Sequence, residues 1–315
     1  MVIIKGLGNI KDKKGDVILT IGNFDGVHIG HQKILKAVAE RARSLNRTSV
    51  AITFDPHPVR VLAPERGLRL ITPFAEKVRL IGIYGIDIVL CIKFSRDFSN
   101  IKPDDFIRDV ITGKIGACEV IVGHNYAFGK GKKGTTGLLR RRGKKHGFNV
   151  RVIRNARLFC DVVSSSRIRS LLARGRVCEA SWLLGRPYMI GGKVIKGAGK
   201  GNKLLKIPTA NISTSYELVP KEGVYAVKIG LGDSILDGVA NIGRNPTFGE
   251  NLMSYEAHIF DFSGDILGKD IRVYFIDRIR DERTFPDIRA LHEGIMKDIE
   301  FTREIMRTKK YPAVV

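Results

Sequence analysis

Cysteine is scarce in this sequence: four residues among 315, with no C-x-x-C pair or other metal-like spacing. They lie mostly within apolar segments, which indicates buried free thiols in a reducing compartment. Long hydrophobic runs are missing too, and no segment approaches the ~20 apolar residues of a transmembrane helix. The apolar run in M-V-I-I-K-G at residues 1–6 is too short for a signal peptide. We therefore expect a cytoplasmic protein without a membrane partner.

Acidic residues are few relative to basic ones: 32 Asp and Glu against 54 Lys and Arg, a formal net charge of +22. This excess favours polyanionic partners such as nucleotides, nucleic acids or anionic surfaces, without choosing among them. The densest basic run, between Lys130 and His146, contains no aromatic residue. Stacking onto single-stranded nucleic acid is therefore not supported, and a solvated basic face is the ordinary interpretation.

Two patterns divide the chain, whose length suits two domains. Up to about residue 155, apolar strands alternate with helices, which predicts an α/β fold with a doubly wound parallel sheet. From Tyr188 onward, short segments separated by turns predict a small antiparallel β-barrel, followed by an amphipathic helix over 287–306. We place the boundary near Arg186, which gives domains of residues 1–186 and 187–315.

The predicted strands set the positions of the candidate sites. They lie at 17–21, 49–54, 86–92, 119–122 and 149–153, and then at 189–195, 207–212, 223–229, 235–242, 253–260 and 271–279. Ligands of doubly wound sheets bind at the carboxyl ends of the strands. Three segments follow such ends: a glycine-rich turn from Gly22, D-P-H-P from Asp55, and G-H-N-Y-A-F-G from Gly123. Their convergence predicts a ligand site.

The stretch 20–32, T-I-G-N-F-D-G-V-H-I-G-H-Q, joins a buried strand to an amphipathic helix. Backbone N–H groups and the helix dipole would face an anion at this turn. His28 and His31, three residues apart, would face that anion from one side. One surface and one packing histidine is the ordinary alternative, but the glycine turn favours a phosphate site. The pattern indicates nucleotidyl transfer, in which the imidazoles stabilise charge on the α-phosphate and the leaving pyrophosphate.

The other two loops at this edge offer groups for a flat ligand. Asp55 and His57 lie in a proline-bounded segment, for which a rigid loop with an incidental histidine is the alternative. Asn125, Tyr126 and Phe128 follow a later strand. A flat aromatic ligand could stack there, and packing of the loop on itself is the alternative.

The second domain carries a separate set of candidates. Glycines and lysines between 192 and 201 can wrap phosphates through backbone N–H groups. Thr209 and Asn211 would project to one face of a strand with oxygen atoms suited to Mg²⁺; a hairpin with a loose glycine turn is the alternative. Glu256 is an acid in a strand-like segment. A carboxylate on the inner side of a barrel costs folding free energy unless it has a function. On the outer side, this residue would say nothing about function.

These pieces, in this order, resemble the bacterial bifunctional riboflavin kinase/FMN adenylyltransferase (FAD synthetase) family over almost the whole chain. H-x-G-H alone is shared with many nucleotidyltransferases, whereas the combination is far more restrictive. The most specific pieces are G-N-F-D-G-V-H-I-G-H (22–31), F-D-P-H-P (54–58), S-S-S-R-I-R (164–169), L-L-G-R-P-Y (183–188), P-T-A-N-I (208–212), N-I-G-R-N-P-T-F (241–248) and E-A-H-I-F-D-F (256–262).

For the first domain, the resemblance implies attack of the FMN phosphate on the α-phosphorus of ATP, which gives FAD and pyrophosphate. It implies His28 and His31 as catalytic residues. The implied ATP-binding residues are Gly22, Phe24, Asp25, Ser165 and Arg169, and the implied flavin-binding residues are Asp55, His57, Asn125 and Phe128.

For the second domain, the resemblance implies phosphorylation of riboflavin to FMN. Thr209 and Asn211 would hold Mg²⁺ on ATP, and Glu256 would be the general base on the riboflavin 5′-hydroxyl. The implied ATP-binding residues of this domain are Gly199, Gly201 and Lys203. The expected partners are riboflavin, FMN and ATP, with Mg²⁺ as cofactor and FMN and FAD as products.

The sequence departs from the family pattern at two points in the second domain. Lys206-Ile207 precede P-T-A-N where the family usually has Gly-Phe, and Asn202 occupies the position of a usual arginine, with Lys203 adjacent. A lysine could replace the missing charge but not its bidentate geometry. These departures leave open an FMN adenylyltransferase with an impaired kinase barrel. The net charge of +22 leaves open a different alternative, a basic nucleic-acid-binding protein on this scaffold.

Overall fold

The computed structural model describes residues 1–10, 16–158, 161–197, 207–244 and 253–315. The chain divides into two compact units, Met1–Ser165 and Ser166–Val315. Cys91, Cys118 and Cys178 are free thiols, and Cys160 lies outside the described residues.

A six-stranded parallel sheet in the order β1-β4-β3-β2-β5-β8 forms the centre of the first unit. The order reverses between β2 and β5, so the turn after β2 lies at the topological switch point, where such sheets bind ligands. The strands of this unit are β1 (Val2–Lys5), β2 (Val17–Ile21), β3 (Thr48–Asp55), β4 (Ile88–Lys93), β5 (Ala117–Gly123), β6 (Ala127–Phe128), β7 (Gly134–Thr135), β8 (Asn149–Ile153), β9 (Arg157–Leu158) and β10 (Asp161–Val162).

Helices cover both faces of this sheet, because its central strands are continuous apolar runs that bury both sides. Leu19 of β2 packs in one core cluster, and its neighbour Ile18 packs in another with Leu35. The helices are α1 (Ile29–Ser44), α2 (Pro58–Leu62), α3 (Phe74–Ile83), α4 (Arg96–Ser99), α5 (Pro103–Asp105, continued as a π-helix over Phe106–Lys114) and α6 (Thr136–His146).

The edge strand β1 was not predicted. It pairs in parallel with β4, and Val2 lies opposite Ile88. Val2 and Ile3 are 58% and 49% exposed, so the strand shows neither the continuous burial nor the alternation that marks a strand in a sequence.

The second unit contains a closed antiparallel barrel in the order β11-β12-β15-β14-β13-β16. Its strands are β11 (Tyr188–Ile195), β12 (Ala210–Thr214), β13 (Gly223–Leu231), β14 (Ser234–Arg244), β15 (Met253–Ile259) and β16 (Asp270–Arg280), and its helices are α7 (Ser165–Ala173), α8 (Val177–Leu184) and α9 (Ile288–Thr308). Asp287 caps α9, because its Oδ1 accepts a hydrogen bond from the Ala290 N–H at 2.7 Å. The parallel sheet and the barrel with its C-terminal helix confirm the predicted fold class.

Two details of this unit differ from the expectations. Strand β12 begins at Ala210 rather than at 207, because Pro208 has no N–H to donate to a ladder. Thr209 therefore precedes the strand. Helix α8 packs against β16 and β11, so it belongs by contact to the unit of the barrel.

Candidate active sites

The turn after β2 places its histidines at the start of α1. His28 is the N-cap of this helix, and its Nδ1 accepts a hydrogen bond from the His31 N–H at 3.3 Å. The two imidazole rings stack, with centroids 3.6 Å apart and an interplanar angle of 15°. A side chain at position 30 would place its Cβ 3.2 Å from the His28 ring, so Gly30 leaves room for this arrangement. The structure thus brings the two predicted catalytic histidines together.

Phe24 supports His31 from the other side. Its ring meets the His31 ring edge-on at 5.3 Å, and its side chain is buried. Phe24, Gly26 and Val27 have positive φ, a conformation that glycine adopts readily and that costs the other two residues conformational energy. The buried ring positions His31, so any contact of Phe24 with a ligand is through its backbone.

Asp25 joins the turn to the segment before α3. Its buried carboxylate accepts hydrogen bonds from the N–H groups of Ile71 at 3.0 Å and Thr72 at 3.4 Å. The Asp25 carbonyl accepts one from the Ser165 hydroxyl at 2.9 Å. Three chain segments are therefore tied together at this residue. Arg169 lies one turn further along α7, within the second unit.

Burial lowers the pKa of His31 well below its usual value, and the nearby charges of His28 and Lys77 lower it further. The Nδ1 of His31 is buried and forms no hydrogen bond with the described residues. An imidazole in this environment is neutral at neutral pH and offers one N–H donor. His31 can therefore donate to a phosphate oxygen without carrying charge of its own.

The other two predicted ligand loops follow β3 and β5. The exposed Asp55 ends β3, and the buried His57 caps α2 by accepting the Val59 N–H at 3.2 Å. Asn125 is exposed. Phe128 is buried, with its ring 5.4 Å from Tyr126 and 5.6 Å from Phe106. This placement fits the packing alternative for the two loop aromatics, and the capping contact gives His57 a structural task.

In the barrel, three polar residues form one row across adjacent strands. Glu256 of β15 lies opposite Asn211 of β12 and opposite Asn241 of β14. Directly opposed residues in an antiparallel pair have Cβ atoms about 5 Å apart. Glu256 also accepts a hydrogen bond from the Ser254 hydroxyl at 3.2 Å, and the Oδ1 of Asn241 is buried with no partner among the described residues.

Glu256 is not in the barrel interior, which corrects the idea of an inner carboxylate. Its neighbour Ala257 is buried in the barrel, so Glu256 points to the opposite face. Val239, on that same outer face, packs with Ile299 of α9. The carboxylate is half-buried because it lines a pocket at this face. Its position on the outer face is therefore still consistent with a functional role.

Two pockets of the second unit meet at Thr209. One, of about 510 Å³, is lined by Gly197, Thr209 and Asn211. The other, of about 330 Å³, is lined by Thr209, Glu256 and Phe285 among others. The predicted metal ligands and the predicted base therefore border adjoining spaces. Gly199, Gly201, Asn202, Lys203 and Lys206 lie outside the described residues.

Two family models together match most of the chain. The FAD synthetase family model matches residues 10–167, and the riboflavin kinase family model matches residues 184–306. Relatives named bifunctional riboflavin kinase/FMN adenylyltransferase include those of Escherichia coli K12, 34% identical over 98% of this chain and 99% of the relative, and Haemophilus influenzae, 36% identical over 95% and 97%.

The chain belongs to the bifunctional riboflavin kinase/FMN adenylyltransferase family. We name each compact unit after the family match that it mainly contains: Met1–Ser165 is called the FAD synthetase unit and Ser166–Val315 the riboflavin kinase unit. A solved structure from Streptococcus pneumoniae, which carries the name macrolide-efflux protein, is 30% identical and covers 96% of this chain and 99% of its own, with a TM-score of 0.88. In the part of this chain that the structure describes, no helix has the length and apolar character to cross a membrane.

The riboflavin kinase unit can accommodate the Mg²⁺ that kinase chemistry implies. No cluster of three His, Cys, Asp or Glu residues suited to a metal occurs in the described ranges. Thr209 and Asn211 instead offer neutral oxygen atoms, which suits an ion that receives its charge from substrate phosphates. A Cβ at position 197 would lie 2.0 Å from the Asn211 amide, so Gly197 keeps the space around that amide open.

Several residues of the riboflavin kinase unit escaped the sequence reasoning. Asp298 of α9 accepts a two-pronged ion pair from Arg280, at 2.9 and 2.7 Å. The guanidinium groups of Arg280 and Arg283 lie over the Phe285 ring, 5.6 and 4.7 Å from its centroid. All four line the pocket that contains Glu256. Only R-I-R-D-E-R, a mixed-charge run before a helix cap, signals them in the sequence.

The basic run of the FAD synthetase unit lies on its surface. Lys132, Lys133, Arg140 and Arg141 are exposed, and Arg142 forms an ion pair with Asp104 at 2.7 Å. The placement fits a solvated face, as the sequence indicated.

Proposed function

We infer that this chain makes FAD from riboflavin in two ATP-dependent steps. The riboflavin kinase unit phosphorylates riboflavin to FMN, and the FAD synthetase unit adenylylates FMN with release of pyrophosphate. The inference is supported above all by two separate phosphate-type sites, a stacked histidine pair at a helix start and an Asn–Glu–Asn row, in a member of a family named for both reactions.

In the kinase step, Glu256 removes the proton from the riboflavin 5′-hydroxyl. The oxygen then bonds to the γ-phosphorus of ATP while the bond to ADP breaks. A positioned carboxylate suits this transfer, because phosphoryl transfer otherwise requires mainly geometry and charge neutralisation. Mg²⁺, when bound, neutralises phosphate charge, and we assign Thr209 and Asn211 to hold it. Asn211 lies opposite Glu256, which supports a base close to the proposed metal ligand.

In the adenylyl transfer, an FMN phosphate oxygen bonds to the α-phosphorus of ATP and pyrophosphate leaves. The Nδ1 of His28 accepts the His31 N–H, so the neutral ring carries its proton on Nε2. His28 therefore donates to phosphate oxygen through Nε2. His31, kept neutral mainly by burial and further by the charge of Lys77, donates beside it. Electrostatic stabilisation of this kind needs no proton removal from the FMN phosphate.

The remaining roles complete the proposal. Gly22, Phe24, Asp25, Ser165 and Arg169 form the ATP side of the FAD synthetase site, with Asp55, His57, Asn125 and Phe128 on the flavin side. Gly199, Gly201 and Lys203 are proposed to bind ATP in the kinase step. The functional boundary is proposed near Arg186, which is supported by the start of the riboflavin kinase match at residue 184. Because both steps consume ATP, we propose the cytoplasm as the place of action.

The test follows flavins chromatographically in three reactions of the purified chain. Riboflavin with ATP and Mg²⁺ should yield FMN and then FAD, and FMN with ATP and Mg²⁺ should yield FAD. Removal of Mg²⁺ by EDTA should stop phosphorylation. FAD from FMN but not from riboflavin would overturn the kinase assignment and leave an adenylyltransferase with an impaired barrel; no flavin product at all would overturn both steps.

A further inference from the structure

Lys77 of α3 is a buried cation in the FAD synthetase unit that the two steps above do not use directly. Its side chain is 7% exposed, and its Nζ donates to the Phe54 carbonyl oxygen at 3.3 Å. The Phe74 ring lies beneath it, with the centroid 5.3 Å from Nζ. Within the described ranges, the ammonium forms no ion pair. The positive charge of Lys77 therefore has no ion-pair partner within the part of the chain that the structure describes.

Such a position is unusual for lysine, whose ammonium group normally reaches water even when its stem is buried. Removing an ammonium from water costs several kcal/mol unless an anion or several acceptors compensate it. Lys77 has three N–H donors, of which one bonds to Phe54. Two of its donors and its positive charge are thus not matched by an acceptor or an acid in hydrogen-bond contact within the described ranges.

The location of the ammonium is the second observation. Phe54 is the penultimate residue of β3, so Nζ lies at the carboxyl edge of the sheet, where the D-P-H-P loop begins. Asp25 of the glycine turn and Asp55 at the end of β3 both raise the pKa of Lys77 and oppose the lowering by burial. Lys77 in turn acts on His31. The ammonium is therefore within electrostatic reach of the histidine pair and of both acids at this edge.

We propose that Lys77 is a positioning residue for adenylyl transfer. Its fixed positive charge acts on the phosphate groups of the two substrates. The proposal rests on the FMN adenylyltransferase function proposed above. In that reaction a phosphate dianion approaches a triphosphate, and the two repel each other. A cation that the fold already holds in place reduces this repulsion without reorganisation during the reaction. The neutral histidines can then act as donors while Lys77 carries the charge.

The first test compares Lys77→Met, which keeps the stem, with Lys77→Arg, which keeps the charge. We expect Lys77→Met to lower kcat/KM for FAD formation from supplied FMN about 100-fold, and Lys77→Arg to restore most of it. Riboflavin phosphorylation by the other unit should stay within twofold in both variants and reports folding. Lys36→Met is the matched control, because Lys36 is exposed and its Nζ also lies over a ring, 5.7 Å from the Tyr84 centroid.

A pH profile separates this role from a purely structural one. Lys77 lowers the pKa of His31 through its charge, as His28 does when its own ring is protonated. Loss of the Lys77 charge should raise that pKa, so the acid limb of kcat/KM for adenylylation should move to higher pH in Lys77→Met. Adenylylation within threefold of the unsubstituted chain would overturn the proposal. So would a large loss with an unmoved acid limb and no rescue by arginine.

A measurement on the unsubstituted chain covers the case in which Lys77→Met does not fold. The pKa of Lys77 is followed by NMR of ¹³C-labelled lysine, with and without inorganic pyrophosphate, the product of the proposed step. Bound pyrophosphate should raise that pKa, and an unchanged pKa at saturating pyrophosphate would overturn the proposal. A chain that makes no FAD from FMN would instead refute the proposed function, so the two failures are distinguishable.

Discussion

Asn211 and Glu256 occupy directly opposed positions on neighbouring antiparallel strands of the barrel. Opposed side chains point to the same face and lie within a few ångströms of each other. The amide proposed to hold the metal and the carboxylate proposed to take the proton are therefore linked by strand register. A slip of one residue would send one of them into the barrel interior, so the register of β12 and β15 determines whether the kinase site exists.

The first prediction concerns Glu256. Glu256→Gln keeps the size and the hydrogen bond from Ser254 but removes the base, so FMN formation should fall roughly 10²–10⁴-fold. FAD formation from supplied FMN should stay within twofold. Asp261→Asn is the matched control, since this exposed carboxylate pairs with Arg303 on the surface of the same unit. Equal loss of both steps in Glu256→Gln would contradict separate sites.

The second prediction concerns His28, which both caps α1 and faces the proposed phosphate site. Asparagine is a good N-cap residue, so His28→Asn keeps the cap while removing the imidazole. FAD formation from FMN should fall about 10²–10³-fold, while riboflavin phosphorylation persists. His146→Asn, at the end of α6, controls for loss of a histidine. Normal FAD formation by His28→Asn would refute its assignment.

The third prediction uses the depressed pKa of His31. Between the folded-state pKa and the unfolded-state pKa of about 6.5, the unfolded chain binds more protons than the folded chain. The free energy of unfolding therefore rises with pH in that window. The stabilisation is complete above about pH 6.5 and is lost as the pH falls through the folded pKa. His31→Asn should lose this contribution, so its thermal midpoint relative to the unsubstituted chain should improve on going from pH 7.5 to pH 5. A pH-independent difference would contradict the neutral, buried imidazole.

The fourth prediction concerns the ion pair between β16 and α9. Asp298 is 8% and Arg280 21% exposed, so Asp298→Ala leaves a largely buried guanidinium without its partner. We expect a loss of about 3–5 kcal/mol in unfolding free energy. The surface pair Arg303–Asp261, 48% and 76% exposed, provides the comparison: Asp261→Asn, which keeps a residue that tolerates the positive φ at this position, should leave the free energy of unfolding nearly unchanged. Denaturant titration measures both, and similar losses would refute the distinction.

Much of the fold could be predicted from the sequence because burial leaves a periodic trace. The continuous apolar run of β2 and the amphipathic α9 are such traces. The exposed edge strand β1 has no such periodic pattern. It is held by backbone pairing with β4, where Val2 lies opposite Ile88, and not by burial of its side chains. The start of β12 was misplaced because Pro208 ends the ladder inside an apolar segment.

The candidate sites were predictable where local spacing sets geometry. His28 and His31 meet because residues three apart share a helix face. The position of Glu256 on the outer face was not predictable, since it depends on which side of β15 the helix α9 covers. Lys77 and the Arg280–Asp298 pair were missed for the same reason: only tertiary contacts bring α3 to the end of β3, and α9 to β16.

The stacking of the two imidazoles has a consequence for titration experiments. Each ring's charge opposes protonation of the other, as the effect of His28 on His31 shows. A proton on His28 therefore makes protonation of His31 harder. Replacement of His28 should raise the pKa of His31, and NMR titration of the His31 ring measures that change.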